Sequence, residues 1–339
     1  MAISMFEKGT VGLATATQPL FAGRRVVTGN KLATLGVEVN QIQLNATQHE
    51  IMFETERQYW QLIELGEKMK TLDRYIQMVD TLHKEVNAAF QSGLIIRNDL
   101  LKVELKQTEL QMNRLKLENG IVLSKMALCQ LIGISYNQSI RFAENPISPD
   151  NPQMIYTDHQ LALTKRSEYQ LLQKSTETEK YQTKMLLGEY MPQLGVGVGA
   201  MYLDVLDGKS STAGMVFGSV NIPISGWWEG SHKMKERRLK EEQNRNTVAD
   251  NIEKLLLQMQ QARNALDEAY QQMQLAKISI RQAEVNLKVC HDNYAAGILN
   301  VSDLLEAQAI AQSSKENMIS IQCNYQVAKT RYLQLTGMY

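Results

Sequence analysis

The side chains able to do chemistry are scattered along the chain. His49, His83, His159, His232 and His291 stand far apart, and no HExxH run puts two of them on one helix face for a zinc ion. Cys129, Cys290 and Cys323 are isolated, with no CxxC pairing. They suggest neither a disulfide framework nor a zinc site and read as small buried apolar residues. There is no GxSxG nucleophile turn and no phosphate-binding GxxxxGK loop. The two aspartates of LDVLDGKSS lack the spacing of a calcium loop and read as a polar turn between strands. No catalytic constellation emerges, and the pattern points away from an enzyme; no metal or cofactor is implied.

What remains is architecture. In 339 residues, 36 basic and 36 acidic side chains cancel, so no global field favours nucleic acid or an acidic membrane surface. Aromatic residues are 6% and prolines only 6, while Gln, Leu, Ala, Lys, Glu and Met dominate, a helix-former's composition. No stretch approaches ~18 uninterrupted apolar residues, which excludes a transmembrane helix. Residues 1–21 lack a basic leader and a continuous apolar core, so they do not read as a signal peptide.

The strongest pattern is an internal duplication. Pro19 recurs as Pro223, Gly93 as Gly297, Asp99 as Asp303 and Gly133 as Gly337, each pair 204 positions apart, with Phe90 falling on Tyr294. Between these anchors runs a heptad seam. The second half reads Met259, Ala262, Leu266, Ala269, Met273, Ala276, Ile280, Ala283, Leu287, Cys290, Tyr294. The first half reads Leu62, Leu65, Met69, Leu72, Ile76, Val79, His83, Val86, Phe90, in register at the same offset. A 3.5-residue period sustained this long predicts left-handed helix packing along rods. A proline-free helix of roughly 65 residues would run about 100 Å at 1.5 Å per residue.

Each rod ends at a short tip, Gln91-Ser92-Gly93-Leu94 and Ala295-Ala296-Gly297-Ile298. Glycine can take the left-handed conformation that stops a helix. Asn98-Asp99 and Ser302-Asp303 then offer N-cap chemistry for returning helices.

Residues 192–202, PQLGVGVGAMY, alternate Leu194, Val196, Val198, Ala200 and Tyr202 with Gly195, Gly197 and Gly199. Period two predicts a strand with one apolar face and one almost bare of side chains. A polar turn at 204–212 with Asp207-Gly208 leads to a second run, 214–224. Such strands suit the wall of an outer-membrane barrel, the edge of a soluble sandwich or a glycine-rich ornament. The first half holds only the second arm, 10–20, and the offset puts the counterpart of Pro192 before Met1. A clipped start is therefore expected, and the missing signal peptide says little about compartment.

The chain thus divides into three parts. The first repeat is 1–133: strand arm 10–20, long helix 25–90, tip 91–98 and return helix 99–131. A linker follows at 134–158, carrying Pro146, Pro149 and Pro152. The second repeat is 159–339: helix 159–188, β-hairpin 192–224, long helix 229–295, tip 296–302 and return helix 303–336.

The strings ALTKRSEYQLLQK (162–174), LGEYMPQLGVGVGAMY (187–202) and NIPISGWWEG (221–230), with QPLFAGRRV (18–26) repeating the last, resemble the TolC-like outer-membrane efflux proteins. The resemblance covers essentially the whole chain apart from that family's first strand. Ser167 stands where the family has proline, and Trp227-Trp228 replace its glycine pair.

The resemblance implies a mainly α fold with a small β part. Long antiparallel coiled-coil hairpins would build an α-barrel, and the strands would join a trimeric 12-stranded outer-membrane β-barrel. It implies the channel component of a tripartite efflux or type I secretion system. Its partners would be two further copies (a homotrimer), a periplasmic adaptor, an inner-membrane pump and outer-membrane lipid, with no nucleic acid. Family position also suggests an aperture role for Asp303 and Glu306, which share a helix face, and for Asp99 and Tyr294, which match a latch pair. Lys102 stands opposite Glu306 in the first half, and the family's basic latch residue falls on Leu299. Gly93, Leu94, Gly297 and Ile298 would dock the adaptor. A plainer reading makes Asp99 and Asp303 N-caps, Glu306 part of a solvated face and the glycines simple turns. A soluble coiled-coil scaffold or a periplasmic adaptor is the competing reading. Neither explains two tandem hairpins, each preceded by strands.

Overall fold

The computed structural model describes residues 9–138, 140–141, 151–205 and 209–338. The turn at Asp207-Gly208, and Pro146 and Pro149 of the linker, lie outside them. The elements run β1 (Gly9–Ala22), α1 (Arg25–Gln91), α2 (Arg97–Leu131), a 3-10 turn (Pro152–Ile155), α3 (His159–Leu163), α4 (Ser167–Glu189), β2 (Gln193–Val205), β3 (Lys209–Asn221), a second 3-10 turn (Ile224–Gly226), α5 (Trp227–Ala295) and α6 (Val301–Leu335). The chain divides into two compact units, Met1–Leu44 with Ser167–Glu253 and Asn45–Arg166 with Lys254–Tyr339.

In the first unit the strands form one antiparallel sheet in the order β1-β2-β3. β1 slips by one residue between Pro19 and Phe21. Proline has no N–H to give a ladder, so an edge strand with a bulge is where it is tolerated. The outer edges of β1 and β3 are unpaired among the described residues. The glycine face of β2 is not bare, as its sequence suggested. Phe217 faces Gly197 and Met215 faces Gly199, and their side chains lie over the missing ones: a Cβ on Gly197 would sit 2.4 Å from the Phe217 ring. The opposite face leaves Val196, Val198, Val216 and Val220 exposed.

The turn from β1 into α1 depends on two glycines. Gly23 has a left-handed φ of 61° and Arg24 one of 62°. Gly23 meets Gly188 of α4 backbone to backbone: a Cβ on Gly188 would lie 2.4 Å from the Gly23 carbonyl oxygen. The second repeat makes the junction differently. There Trp227 donates its indole N–H to the Tyr190 carbonyl at 3.1 Å. α4 is held to both neighbours by charge-assisted bonds, Lys174 to Glu38 and Arg237 to Glu179, each at 2.6 Å.

In the second unit α1 and α2 form an antiparallel hairpin whose register is visible in polar pairs. His83 lies 3.8 Å from Glu104, Gln107 donates to Asp80 at 2.6 Å and Arg114 pairs with Asp73 at 3.0 Å. As the α1 partner falls from 83 to 80 to 73, the α2 partner rises in step from 104 to 107 to 114. Such half-exposed pairs are screened by solvent and contribute little; the apolar seam beneath them carries the packing. In α5 the expected heptad is buried from Met259 through Ala276 and again at Ala283. In α1 it is corrected. Leu72, Val79 and Val86 are buried as expected, but Tyr75 and Leu82 take the intervening places and Ile76 lies only partly buried. The face has turned because α1 packs against residues of α2 (Leu100, Val103, Leu110) and of α6 (Val301, Leu304) in one cluster.

The segment expected as one helix over 159–188 is two. Asp158 caps α3 by accepting from the Gln160 and Leu161 N–H groups. Lys165 and Arg166 then close tight i→i−3 bonds to Ala162 and Leu163, ending it. Arg166 is only 4% exposed, with its guanidinium on the Leu255 carbonyl at 3.4 Å and the Gln258 side-chain oxygen at 3.3 Å. Just before α3, Tyr156 bonds Asp267, the Arg263 guanidinium stacks 4.2 Å from its ring centre, and the Thr157 N–H donates to the Tyr332 hydroxyl. The linker is thereby bound to α5 and α6.

Gly188→Ala is expected to destabilise by about 1–3 kcal/mol, because the new methyl overlaps backbone that cannot rotate away. Gly29→Ala, where no heavy atom lies within 4 Å, is expected to stabilise by about 0.5–1 kcal/mol through helix propensity. Thermal unfolding of the two variants beside the parent checks the contrast.

Candidate aperture and docking tips

Both hairpins reverse by the same backbone device. Gly93 and Gly297 have φ of 73° and 72°. Their N–H groups donate to Phe90 and Tyr294, and the next residues, Leu94 and Ile298, donate to Ala89 and Asn293, all at 2.9 Å. These paired bonds close the last open carbonyls of a helix, and the pattern requires a left-handed residue at the glycine. No heavy atom lies within 4 Å of a Cβ built on either glycine, so torsion rather than crowding selects the residue. Gly133 and Gly337 end the return helices in the same way, with φ of 74° and 65°.

The reversals expose their apolar residues. Leu94 is 79% exposed and Ile298 71%. Ile96, which the sequence gave no reason to single out, adds a third apolar side chain at the first tip, 65% exposed.

The capping expectation is corrected. Asp99 and Asp303 lie inside the first turns of α2 and α6 rather than at their N-caps. The cap of α6 is Asn300, whose side-chain oxygen accepts from the Ser302 and Asp303 N–H groups at 2.8 and 3.1 Å. Its counterpart in α2 is Ile96, which has no side-chain cap bond. The first-turn carboxylates still face the positive ends of their helices.

The structure brings Tyr294 and Asp99 into one locality. Tyr294 packs on the cluster of Leu100, Val301 and Leu304 at the tips. Burial, then the negative charges of Glu85 and Asp99, push its phenol ionisation upward, so it stays a neutral hydrogen-bond donor. Asp99 is bridged to Lys102 at 3.2 Å. Asp303 is half-buried and Glu306 exposed on the same face of α6. Neither carboxylate has a cationic partner among the described residues. The two tips are therefore electrostatically unlike: one acid neutralised by its own helix, two acids left bare on the other. Among the described residues no group of three or more metal-ligating side chains comes together, and no helix is long and apolar enough to cross a membrane.

This arrangement of a three-stranded sheet leading into two helical hairpins is the fold of the TolC-like outer-membrane channels. No protein-family model and no curated protein matches the sequence; the likeness is to solved structures. The outer membrane protein VceC from Vibrio cholerae is similar with a TM-score of 0.77 at 13% identity, over 97% of this chain and 87% of that one. CusC, described by its structures as forming a transmembrane channel, is similar with a TM-score of 0.84 at 11% identity, over 97% and 82%. The open-state MtrE outer membrane channel of Neisseria gonorrhoeae is similar with a TM-score of 0.79 at 13% identity, over 97% and 80%.

Asn300→Ala is expected to cost about 1 kcal/mol by freeing two first-turn N–H groups. Ile96→Asn is expected to add stability of similar size at the uncapped helix. Chemical denaturation curves for both variants test this opposite pair of signs.

Proposed function

We propose that the chain is the outer-membrane channel component of a tripartite efflux or type I secretion system, a passive exit duct that works as a homotrimer. The carrying observation is a fold shared with outer-membrane channels over 97% of the chain. The sheet supports the reading. Its Val196, Val198, Val216 and Val220 face is exposed, which suits lipid, and its two unpaired edges suit closure with strands of other copies.

In this reading the helical hairpins line a periplasmic conduit whose far end is formed by the tips. Three copies of Asp303 and Glu306 would ring the axis with carboxylates that no local cation neutralises. Such a ring favours cations and resists narrowing by mutual repulsion. Asp99, tied to Lys102, would contribute less to that field, and Tyr294 would hold neighbouring hairpins through its neutral phenol. The exposed Leu94 and Ile298, on the turns made by Gly93 and Gly297, are the docking points for a periplasmic adaptor that connects to an inner-membrane pump. The chemistry of the cargo is left to that pump.

The protein is expected to fractionate with outer membranes and to run as a detergent-resistant trimer; a soluble monomer would overturn the channel reading. In planar bilayers the Asp303→Ala, Glu306→Ala double variant is expected to lose cation preference. Unchanged ion selectivity would reject the aperture assignment while leaving the channel itself standing.

A further inference from the structure

α2 and α5 each bury one heptad face inside the chain. On α2 it carries Leu100, Val103 and Leu110, packed with α1 and α6; on α5 it carries Met273 and Ala276, packed with Met318 of α6. Each helix also has a second apolar row, which is left open. Leu101, Leu105, Met112 and Leu115 of α2 are 43–70% exposed, and Leu275, Ile278, Val285 and Val289 of α5 are 52–66% exposed. Both rows step by alternating fours and threes once Thr108 and Gln282 fill their gaps. That period belongs to a helix packed along its length on another helix. An apolar row of this kind facing water marks an interaction surface.

The two rows match when the helices run antiparallel. Leu101 then meets Val289, Leu105 meets Val285, Met112 meets Ile278 and Leu115 meets Leu275. The polar positions coincide as well, Thr108 with Gln282 and Asn119 with Gln271. Sliding by one heptad breaks the match. In one direction Leu101, Met112 and Leu115 meet Gln282, Gln271 and Glu268; in the other Leu105 and Leu115 meet Asp292 and Gln282. Burying those polar groups against leucine or methionine costs free energy, so one register is favoured. The match ends beyond Asn119, where Val122 would meet Glu268.

The duplication leads to the same register by a separate route. In the first hairpin His83 stands beside Glu104 and Asp80 beside Gln107, which sets Leu101 level with Val86. The repeat offset of 204 carries Val86 to Cys290, the neighbour of Val289. Two hairpins side by side with level tips therefore bring α2 and α5 together within one residue of the register that the side chains select. A single chain does not make this contact, since both rows stay exposed. The rows are unlike, so α2 of each copy must take α5 of the next, a head-to-tail contact that closes as a ring.

We propose that the open rows of α2 and α5 are the two sides of the contact between copies of this chain. They pack antiparallel, with Leu105 of one copy against Val285 of the next and Met112 against Ile278. The inference rests on the homotrimer reading above and adds to it which helices meet and in what register. A foreign helix would need the same polar breaks at the same levels; this chain carries them on both sides.

The test is disulfide trapping in the full chain carrying Cys290→Ser, which leaves only the buried thiols of Cys129 and Cys323. Leu105→Cys with Val285→Cys, oxidised by copper phenanthroline in isolated membranes and boiled without reductant, is expected to run mainly as a covalent trimer. Reduction should return it to monomer, and neither single variant should cross-link. Leu105→Cys with Ile278→Cys is displaced by about 10 Å along the helix, beyond the reach of a disulfide, and is expected to stay monomeric. Equal cross-linking of the displaced pair, or cross-linking of Leu105→Cys alone, would overturn the pairing. So would a boiled monomer from the first pair while native electrophoresis still shows a trimer; in all three cases the channel reading stands. A parent chain that is monomeric in native electrophoresis would overturn both.

Discussion

The rest of the structure depends on where each long helix stops. An α-helix has no internal reason to end after any given turn, and a heptad seam can pair in several registers offset by seven residues. The left-handed glycine at Gly93, with the bonds from Gly93 to Phe90 and from Leu94 to Ala89, removes that freedom. Once α1 ends there, α2 must return antiparallel, and the pairs 83 with 104, 80 with 107 and 73 with 114 follow as one register. Those pairs are half-exposed and weak. The burial of Leu72, Val79, Val86, Leu100 and Val103 stabilises the register that the turn selects.

The second repeat uses the same backbone with different chemistry on it. α2 and α6 occupy equivalent positions at both ends, and glycines with positive φ close all four helices at the equivalent sites. On that common frame Asn300 replaces Ile96 as a cap, Glu306 replaces Lys102 beside the first-turn aspartate, and Trp227 replaces Gly23 where strand passes into helix. At the four hairpin-helix ends the torsional requirement has been kept, because a lost left-handed residue there would move everything after it; at the strand-to-helix junction it has not, since Gly23 is left-handed and Trp227 right-handed helical. Side chains facing solvent or a cavity carry no such constraint, and there the two halves have diverged.

Much of the fold is legible from pattern alone because period and torsion are local properties. The glycine tips, the returning helices and the alternating strand all follow from residues that are near neighbours in the chain. The misreadings share a different cause. The seam of α1 shifted from Ile76 to Tyr75 and Leu82 because two helices rather than one press on it. The helix expected over 159–188 broke because Arg166 turns inward to the backbone of α5. The caps moved from the aspartates to Asn300 and Ile96, since a cap is defined by the torsion of the residue before the first helical one. Asn300 could have been found by asking which polar side chain stands two and three positions before free N–H groups; Ile96 offered no such signal.

By itself the sequence determined the duplication, the helical hairpins, their turning points and the presence of a short sheet, because each is written in local spacing. Only the tertiary structure decided which face of α1 is buried, that Phe217 and Met215 cover glycines of β2, and that Asp99 is neutralised by Lys102 while Asp303 and Glu306 are left without a cation among the described residues. Those outcomes depend on which elements meet, and residues far apart in the chain decide that jointly.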